Sequence, residues 1–182
     1  MQVQVTAVDA TPLRERVDDV VAVYKAAFLD LFESNPDRAA RDRRVHVGGH
    51  LARDDIRGAM ALDPAGTLVG FCYAAPGRPG SWWHDVVTRA VGPALAEEWL
   101  SDVLEVVELH VRPAHQGDGL GRRLLRTVLD GASQRTTALS ALDDPTLPAR
   151  HLYAAEGYRP LLEGFAFPGS ATRYAILAAR LR

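Results

Sequence analysis

Polar and apolar positions change rhythm several times along the chain, and each rhythm predicts an element. Residues 2–8, QVQVTAV, alternate, which predicts a strand. Val17, Val20, Val21, Tyr24, Ala27, Phe28 and Leu31 recur at three- and four-residue steps, so a helix with one buried face is expected over 17–31. ESNPDRAARDRR begins as a charged loop at Asn35-Pro36, and a short second helix is expected over 38–53. IRGAMALDPAGTLVGFCYAAP reads as a hairpin whose turn is DPAG. GRPGSWWHDVVTRAVGPALAEEWLSD follows as an insertion, partly helical and broken at Gly92-Pro93. VLEVVELHVRP is a nearly continuous apolar run stopped by proline, as in a central strand. LGRRLLRTVLDGA is amphipathic, with Leu120, Leu124, Leu125, Val128 and Leu129 on one side. TTALSAL is another strand, and LPARHLYAAEGY a short helix with Pro148 in its first turn and Gly157 at its C-terminal cap. PLLEGFAF and TRYAILAARL close the chain as a pair of strands.

The resulting order, β-α-α-β-β-insert-β-α-β-α-β-β, predicts an α/β domain with a mixed sheet. With 182 residues, 47% of them hydrophobic, one domain with one sizeable core is expected over 1–182. A net charge of −2 argues against a nucleic-acid surface. Lys25 is the only lysine, and the other 20 basic residues are arginine. The single cysteine, Cys72, lies in the apolar run LVGFCYA and reads as core packing; it cannot form an internal disulfide. The N-terminus lacks the basic start and apolar stretch of a signal peptide, and no run has the ~18 apolar residues of a membrane span. A soluble, cytoplasmic protein is the expectation. The six histidines show no ligand spacing, so no metal is expected.

The densest glycine segment is HQGDGLGRR, with Gly117, Gly119 and Gly121 at the mouth of the amphipathic helix. A strand, a glycine turn and a helix N-terminus together can cradle an oxyanion, because the first helical N–H groups lack internal partners and the dipole favours negative charge. The same residues could equally form a plain strand-to-helix corner. Two common phosphate motifs fail here. A dinucleotide fingerprint starting at Gly117 would need glycine at 122, which is Arg122, and no lysine follows Gly119 or Gly121 as a P-loop requires.

VELHVRPAHQGDGLGRRLL resembles the acetyl-CoA segment of the GCN5-related N-acetyltransferase (GNAT) family. The family pattern Q/R-x-x-G-x-G/A is carried by Gln116, Gly119 and Gly121, after a strand ending in Val111 and Pro113. PARHLYAAEGYRPL is similar to the family's A-x-x-L-Y-x-x-x-G-F/Y, through Ala149, Leu152, Tyr153, Gly157 and Tyr158. The specific resemblance covers 104–162. It departs at Thr146, where the family often has an asparagine that helps hold the cofactor. The resemblance implies a GNAT-like mixed, splayed sheet of about six to seven strands, flanked by about four helices. The insertion, at 77–102, would lie between the third and fourth strands.

The resemblance also implies transfer of an acetyl group from acetyl-CoA to a primary amine, by direct attack on the thioester. The backbone of Leu109, His110 and Val111 would line the pantetheine arm. The amides of Gln116, Gly117, Asp118, Gly119, Leu120, Gly121 and Arg122 would hold the pyrophosphate. The amine must be neutral to attack, the intermediate needs an oxyanion donor, and the leaving thiolate gains from an acid. Tyr153, placed near the cofactor sulfur by the resemblance, is the candidate acid, against a structural half-buried tyrosine. Glu108 is the candidate base, against a structural carboxylate. It shares one face of its strand with His110, and two titratable groups are costly to bury idly. His110 could share the task through a water.

Trp82, Trp83 and His84 either line an acceptor pocket or pack the insertion. Glu97 and Glu98 read as a solvated helix face. The acceptor is a small-molecule or protein amine, with no nucleic acid and no membrane as partner. Dimers are frequent in the family, and the apolar C-terminal strands could supply an interface. A longer acyl-CoA donor is a second enzyme reading. A non-catalytic module that binds CoA or acyl-CoA and senses or regulates is the rival from another class.

Overall fold

The computed structural model describes residues 3–29 and 33–181. Leu31 and Gln2, which the periodicity assigns to a helix and a strand, lie outside the described residues. The strands are β1 (Gln4–Val8), β2 (Arg57–Leu62), β3 (Leu68–Pro76), β4 (Val103–Val111), β5 (Thr136–Leu142), β6 (Arg159–Phe165) and β7 (Tyr174–Arg180). The helices are α1 (Ala10–Glu15), α2 (Val17–Tyr24), α3 (Pro36–Leu51), α4 (Trp82–Val91), α5 (Pro93–Trp99), α6 (Leu120–Leu129) and α7 (Pro148–Ala155). A π-helical turn, Lys25–Leu29, continues α2. The strand order is β1-β2-β3-β4-β5-β7-β6 in one mixed, seven-stranded sheet. Among the described residues, no helix is long and apolar enough to cross a membrane.

The expected fold class therefore holds, with more helices than the four foreseen. The insertion carries two of them, α4 and α5, separated by Gly92 at φ 82°. Helix α1 was not foreseen. It starts where the Asp9 side chain accepts the Thr11 N–H at 2.8 Å, an N-cap that precedes too short a helix to show periodicity.

The chain's contacts cluster into two units, 1–74 with 107–130, and 75–106 with 131–182. In the first, β1 pairs antiparallel with β2, and β2 with β3. The hairpin turn forms at DPAG as expected: the Asp63 carboxylate accepts the N–H groups of Ala65 and Thr67, each at 2.9 Å. Eight successive residues of β3, Leu68–Ala75, are buried. Helix α6 packs Leu120, Leu124, Leu125 and Val128 into this core. Its end is held by Arg57, whose guanidinium donates to the carbonyls of Val128 and Asp130, where a cation also suits the helix dipole. Gly70 allows close packing, since a Cβ there would stand 3.0 Å from Leu124 Cδ1 and 3.2 Å from the His110 carbonyl.

The second unit has its core at Val87, Trp99, Leu100, Val103, Ala138 and Ile176. β7 pairs antiparallel with both β5 and β6. The parallel pairing of β4 with β5 covers only Val103–Glu105 against Thr136–Ala138, three residues of strands nine and seven long.

Leu124 is wholly buried. Leu124→Ala is expected to cost about 2–5 kcal/mol, the usual range for a core leucine replaced by alanine. Urea unfolding followed by far-UV circular dichroism measures it, with the surface change Arg122→Ala as the reference.

Candidate active site

Strand β4 stops where Arg112 turns back, its N–H donating to Val69 O at 2.8 Å and its Nε to Leu68 O at 3.0 Å. A 3₁₀ turn, Pro113–His115, follows. The loop then runs through Gly117 at φ 90° and Gly119 at φ 74°, both in the left-handed region that favours glycine. Gly119 is the residue before α6, and no side chain caps the helix. The first intrahelical bond is Arg123 N–H to Gly119 O, at 3.1 Å. A Cβ at Gly117 or Gly119 would meet nothing within 4 Å. The glycines therefore serve backbone conformation and leave open space before the helix mouth, which suits an oxyanion.

The other expected members of this loop divide. Gly121 lies inside α6 and contributes no turn conformation. Leu120 is buried in the core, so its backbone alone faces the helix mouth. Asp118 and Arg122 are exposed. Gln116 ties the loop to the strand, its Nε2 donating to Val111 O at 2.8 Å. Arg123 reaches Val3 O at 3.2 Å and is engaged there.

Glu108 is buried, with 5% of its surface exposed, and both carboxylate oxygens are engaged. One accepts from the Arg43 guanidinium, brought by α3; the other lies 2.7 Å from His110 Nε2. Burial pushes this carboxyl up. The opposing pull of Arg43, of the hydrogen bond and charge of His110, and of His50 is larger in sum and holds it below the ordinary value. Glu108 is thus an ionised, doubly bonded carboxylate, which makes it a weak proton acceptor.

His110 is set in aromatic rings. Tyr24 stands edge-on with centroids 4.6 Å apart, and Phe71 and Phe28 lie at 5.7 and 6.2 Å. Arg43 lies over the Tyr24 ring at 4.6 Å. His50, also from α3, meets the Tyr73 hydroxyl at 3.1 Å; burial first, with the neighbouring cations, holds its pKa below the ordinary value despite Glu108.

No motif pointed to Arg43. A buried strand glutamate does require a cation, but the sequence offers 20 arginines and no rule of spacing to choose among them.

Tyr153 belongs to the second unit, where it is buried at 8% exposure. The end of α7 fixes it. Gly157 at φ 84° lets the Tyr158 N–H reach Tyr153 O at 3.0 Å and the Gly157 N–H reach Ala154 O at 3.1 Å, a Schellman closure. The two tyrosine rings pack with centroids 5.6 Å apart, and the Tyr158 hydroxyl meets Thr137 Oγ1 at 3.0 Å. The Y-x-x-x-G-Y pattern is therefore also a helix-stop that places Tyr153. Thr146 spends its hydroxyl on Asp144 Oδ1 at 2.7 Å, inside a local turn.

The insertion residues mostly pack. Trp83 Nε1 donates to Ser140 Oγ at 2.7 Å, and buried His84 meets Leu100 O at 3.1 Å through Nε2. Trp82 is 61% exposed and stacks on Phe167 at 5.3 Å. Glu97 and Glu98 are exposed, and Glu98 pairs with Arg180 at 2.8 Å. Among the described residues, no group of His, Cys, Asp or Glu could hold a metal ion.

A family model described as the acetyltransferase (GNAT) family matches residues 18–158. A GCN5-like protein acetyltransferase of Mycobacterium tuberculosis is 33% identical over 121 residues, 63% of this chain. The chain spans 59% of that relative's length. Two solved structures share the fold. A GNAT-family acetyltransferase from Desulfovibrio desulfuricans aligns with a TM-score of 0.68 at 17% identity, over 100% of both chains. PaiA N-acetyltransferase from Thermoplasma acidophilum, in complex with coenzyme A, aligns at 0.65 and 12% identity over 99% of both.

A depressed carboxyl stabilises the folded state above the unfolded-state value, about 4.3 for glutamate, and the benefit fades as pH falls through the folded value. The lowered pKa of Glu108 therefore predicts a fall in stability below about pH 4.3 that Glu108→Gln lacks. Urea midpoints measured from pH 7 to pH 3 on both proteins test this; parallel curves would refute it.

Proposed function

Because the chain belongs to the acetyltransferase (GNAT) family, we propose that it transfers an acetyl group from acetyl-CoA to a primary amine. The observation that carries this is the uncapped α6 mouth with its left-handed Gly117 and Gly119, directly after the strand that bears Glu108 and His110. An anion site and a proton-accepting pair stand nine residues apart in sequence, from His110 to Gly119. The family match runs through both units, which supports reading the chain as one acetyltransferase domain.

In this reading the amides from Gln116 to Arg122 hold the pyrophosphate, and the strand backbone at Leu109, His110 and Val111 lies along the pantetheine arm. Oxyanion binding at a helix N-terminus is favourable for phosphate on both hydrogen-bonding and dipole grounds. The amine loses its proton toward the Glu108–His110 pair and attacks the thioester carbonyl. Tyr153 donates to the departing thiolate. Burial of its ring against Tyr158 and closure of its helix at Gly157 limit its movement, as an acid at a fixed position requires. The mycobacterial relative is named a protein acetyltransferase, which puts protein amines beside small-molecule amines as candidate acceptors.

Free-thiol release from acetyl-CoA, followed across a panel of polyamines, amino acids, aminoglycosides and peptides, tests the reading. At least one amine is expected to drive release. Tyr153→Phe is expected to lower kcat by about 10²-fold or more, in line with a general acid. Gly119→Glu, which puts an anion at the helix mouth and strains its left-handed backbone, is expected to abolish CoA binding in calorimetry. Tight CoA binding with no turnover on any amine would replace this reading with another acyl donor or with a CoA sensor.

A further inference from the structure

Four side chains in the first unit form a relay that ends on an open nitrogen. Arg43 on α3 bonds one oxygen of Glu108, and Glu108 bonds His110 Nε2 at 2.7 Å with the other. Tyr24 buttresses both ends: its ring carries the Arg43 guanidinium at 4.6 Å and abuts the His110 ring at 4.6 Å. The Arg43, Glu108 and His110 side chains are 31%, 4% and 14% exposed, so the carboxylate is the buried centre of the cluster and His110 lies on its way out. Among the described residues, the His110 ring makes one hydrogen bond, through Nε2. Nδ1 has no hydrogen-bond partner among these residues, which leaves it as the open nitrogen of the ring.

We propose that His110 Nδ1 is the atom that takes the acceptor amine's proton, and that Arg43 and Glu108 are positioning residues that fix its ring and tautomer. The proposal rests on the acetyl-transfer reading and names the proton acceptor within it. A neutral imidazole that gives its Nε2–H to a carboxylate must present a bare lone pair on Nδ1. The carboxylate also stabilises the imidazolium once formed, as an orienting carboxylate does beside a base histidine. Glu108 cannot easily play the base itself, because protonation would break its bonds to both Arg43 and His110. Arg43 keeps it ionised. Among the described residues, the other titratable groups facing this cluster are His50 on α3, Cys72 and Tyr73 on β3, and Tyr24 on α2.

The proton balance closes. An ammonium N–H bond breaks as the His110 Nδ1–H bond forms. The neutral nitrogen then forms the C–N bond, the C–S bond breaks, and its electron pair goes to sulfur. The thiolate takes the Tyr153 proton. The second amine proton, shed as the amide forms, restores Tyr153, and His110 passes its proton to water.

The first test needs no acceptor. Long-range ¹⁵N–¹H correlation spectra of the full chain read the His110 tautomer directly. The Nε2–H form is expected in the wild type, with a mixture of both forms in Glu108→Gln. A wild-type Nδ1–H tautomer would overturn the proposal. The second test uses the fastest amine from the panel and follows kcat and kcat/KM against pH. His110→Gln is expected to lower kcat by about 10²–10³-fold and remove the acid limb, with added imidazole restoring part of the rate. Glu108→Gln and Arg43→Gln are expected to lower kcat about tenfold while keeping the acid limb and the KM for acetyl-CoA, and Arg43→Lys to recover part of the loss. An acid limb that survives in His110→Gln and vanishes in Glu108→Gln would make Glu108 the base instead. If the wild type turns over no amine, the acetyl-transfer reading fails, and the tautomer spectrum still decides whether Nδ1 is the open nitrogen.

Discussion

The constraint on which the first unit turns is the burial of one ionised carboxylate. A glutamate in the middle of a central strand, 5% exposed, would be intolerable alone, since an unpaired buried charge costs several kcal/mol. Its survival dictates much around it. Helix α3 must bring Arg43 within bonding reach, and His110 must stand two residues along the same face. Tyr24 must close over both partners of the carboxylate. Such a pair is weak evidence for stability, because well-packed apolar residues would often do as well. That imbalance is itself an argument for chemistry: the fold bears a desolvation cost at the position where the proposed reaction would move a proton.

The strand-to-helix corner solves a different problem with the same economy of parts. A helix mouth normally takes a Ser, Thr, Asp or Asn cap. Here the N-cap is Gly119, with no side chain to satisfy the first amides. Left open to solvent, those donors lose little; offered to a phosphate, they gain charge-assisted bonds. Gln116 ties the loop back to Val111 O, so the turn is held without blocking its own opening. The lack of a cap and the presence of a tie are consistent with a corner built to receive something.

Much of this was legible in the sequence because it rests on local rules. The period-two and 3.6-residue patterns gave nearly every strand and the long helices, and DPAG and the Gly157 stop marked their turns. The glycine corner and the tyrosine helix were visible as motifs, since each is a short stretch of chain with one conformation to encode. What escaped was of two kinds. Helix α1, Ala10–Glu15, is too short for a period and announces itself only through the Asp9 cap. Arg43 is a partner by tertiary contact, 65 residues from Glu108, and nothing in α3 distinguishes it from Arg38, Arg41 or Arg44 before the fold is known.

The missed arginine changes the meaning of the residue that was found. From sequence, Glu108 and His110 are two titratable groups on one strand face, and the carboxylate is the natural base. With Arg43 in place, the carboxylate is committed on both oxygens and its protonated form is disfavoured. The imidazole, bonded through Nε2, keeps its other nitrogen open among the described residues. The same three side chains thus carry opposite assignments depending on one contact from a distant helix. A motif fixes which residues gather at a site; the partners supplied by the rest of the fold decide which of them can accept a proton.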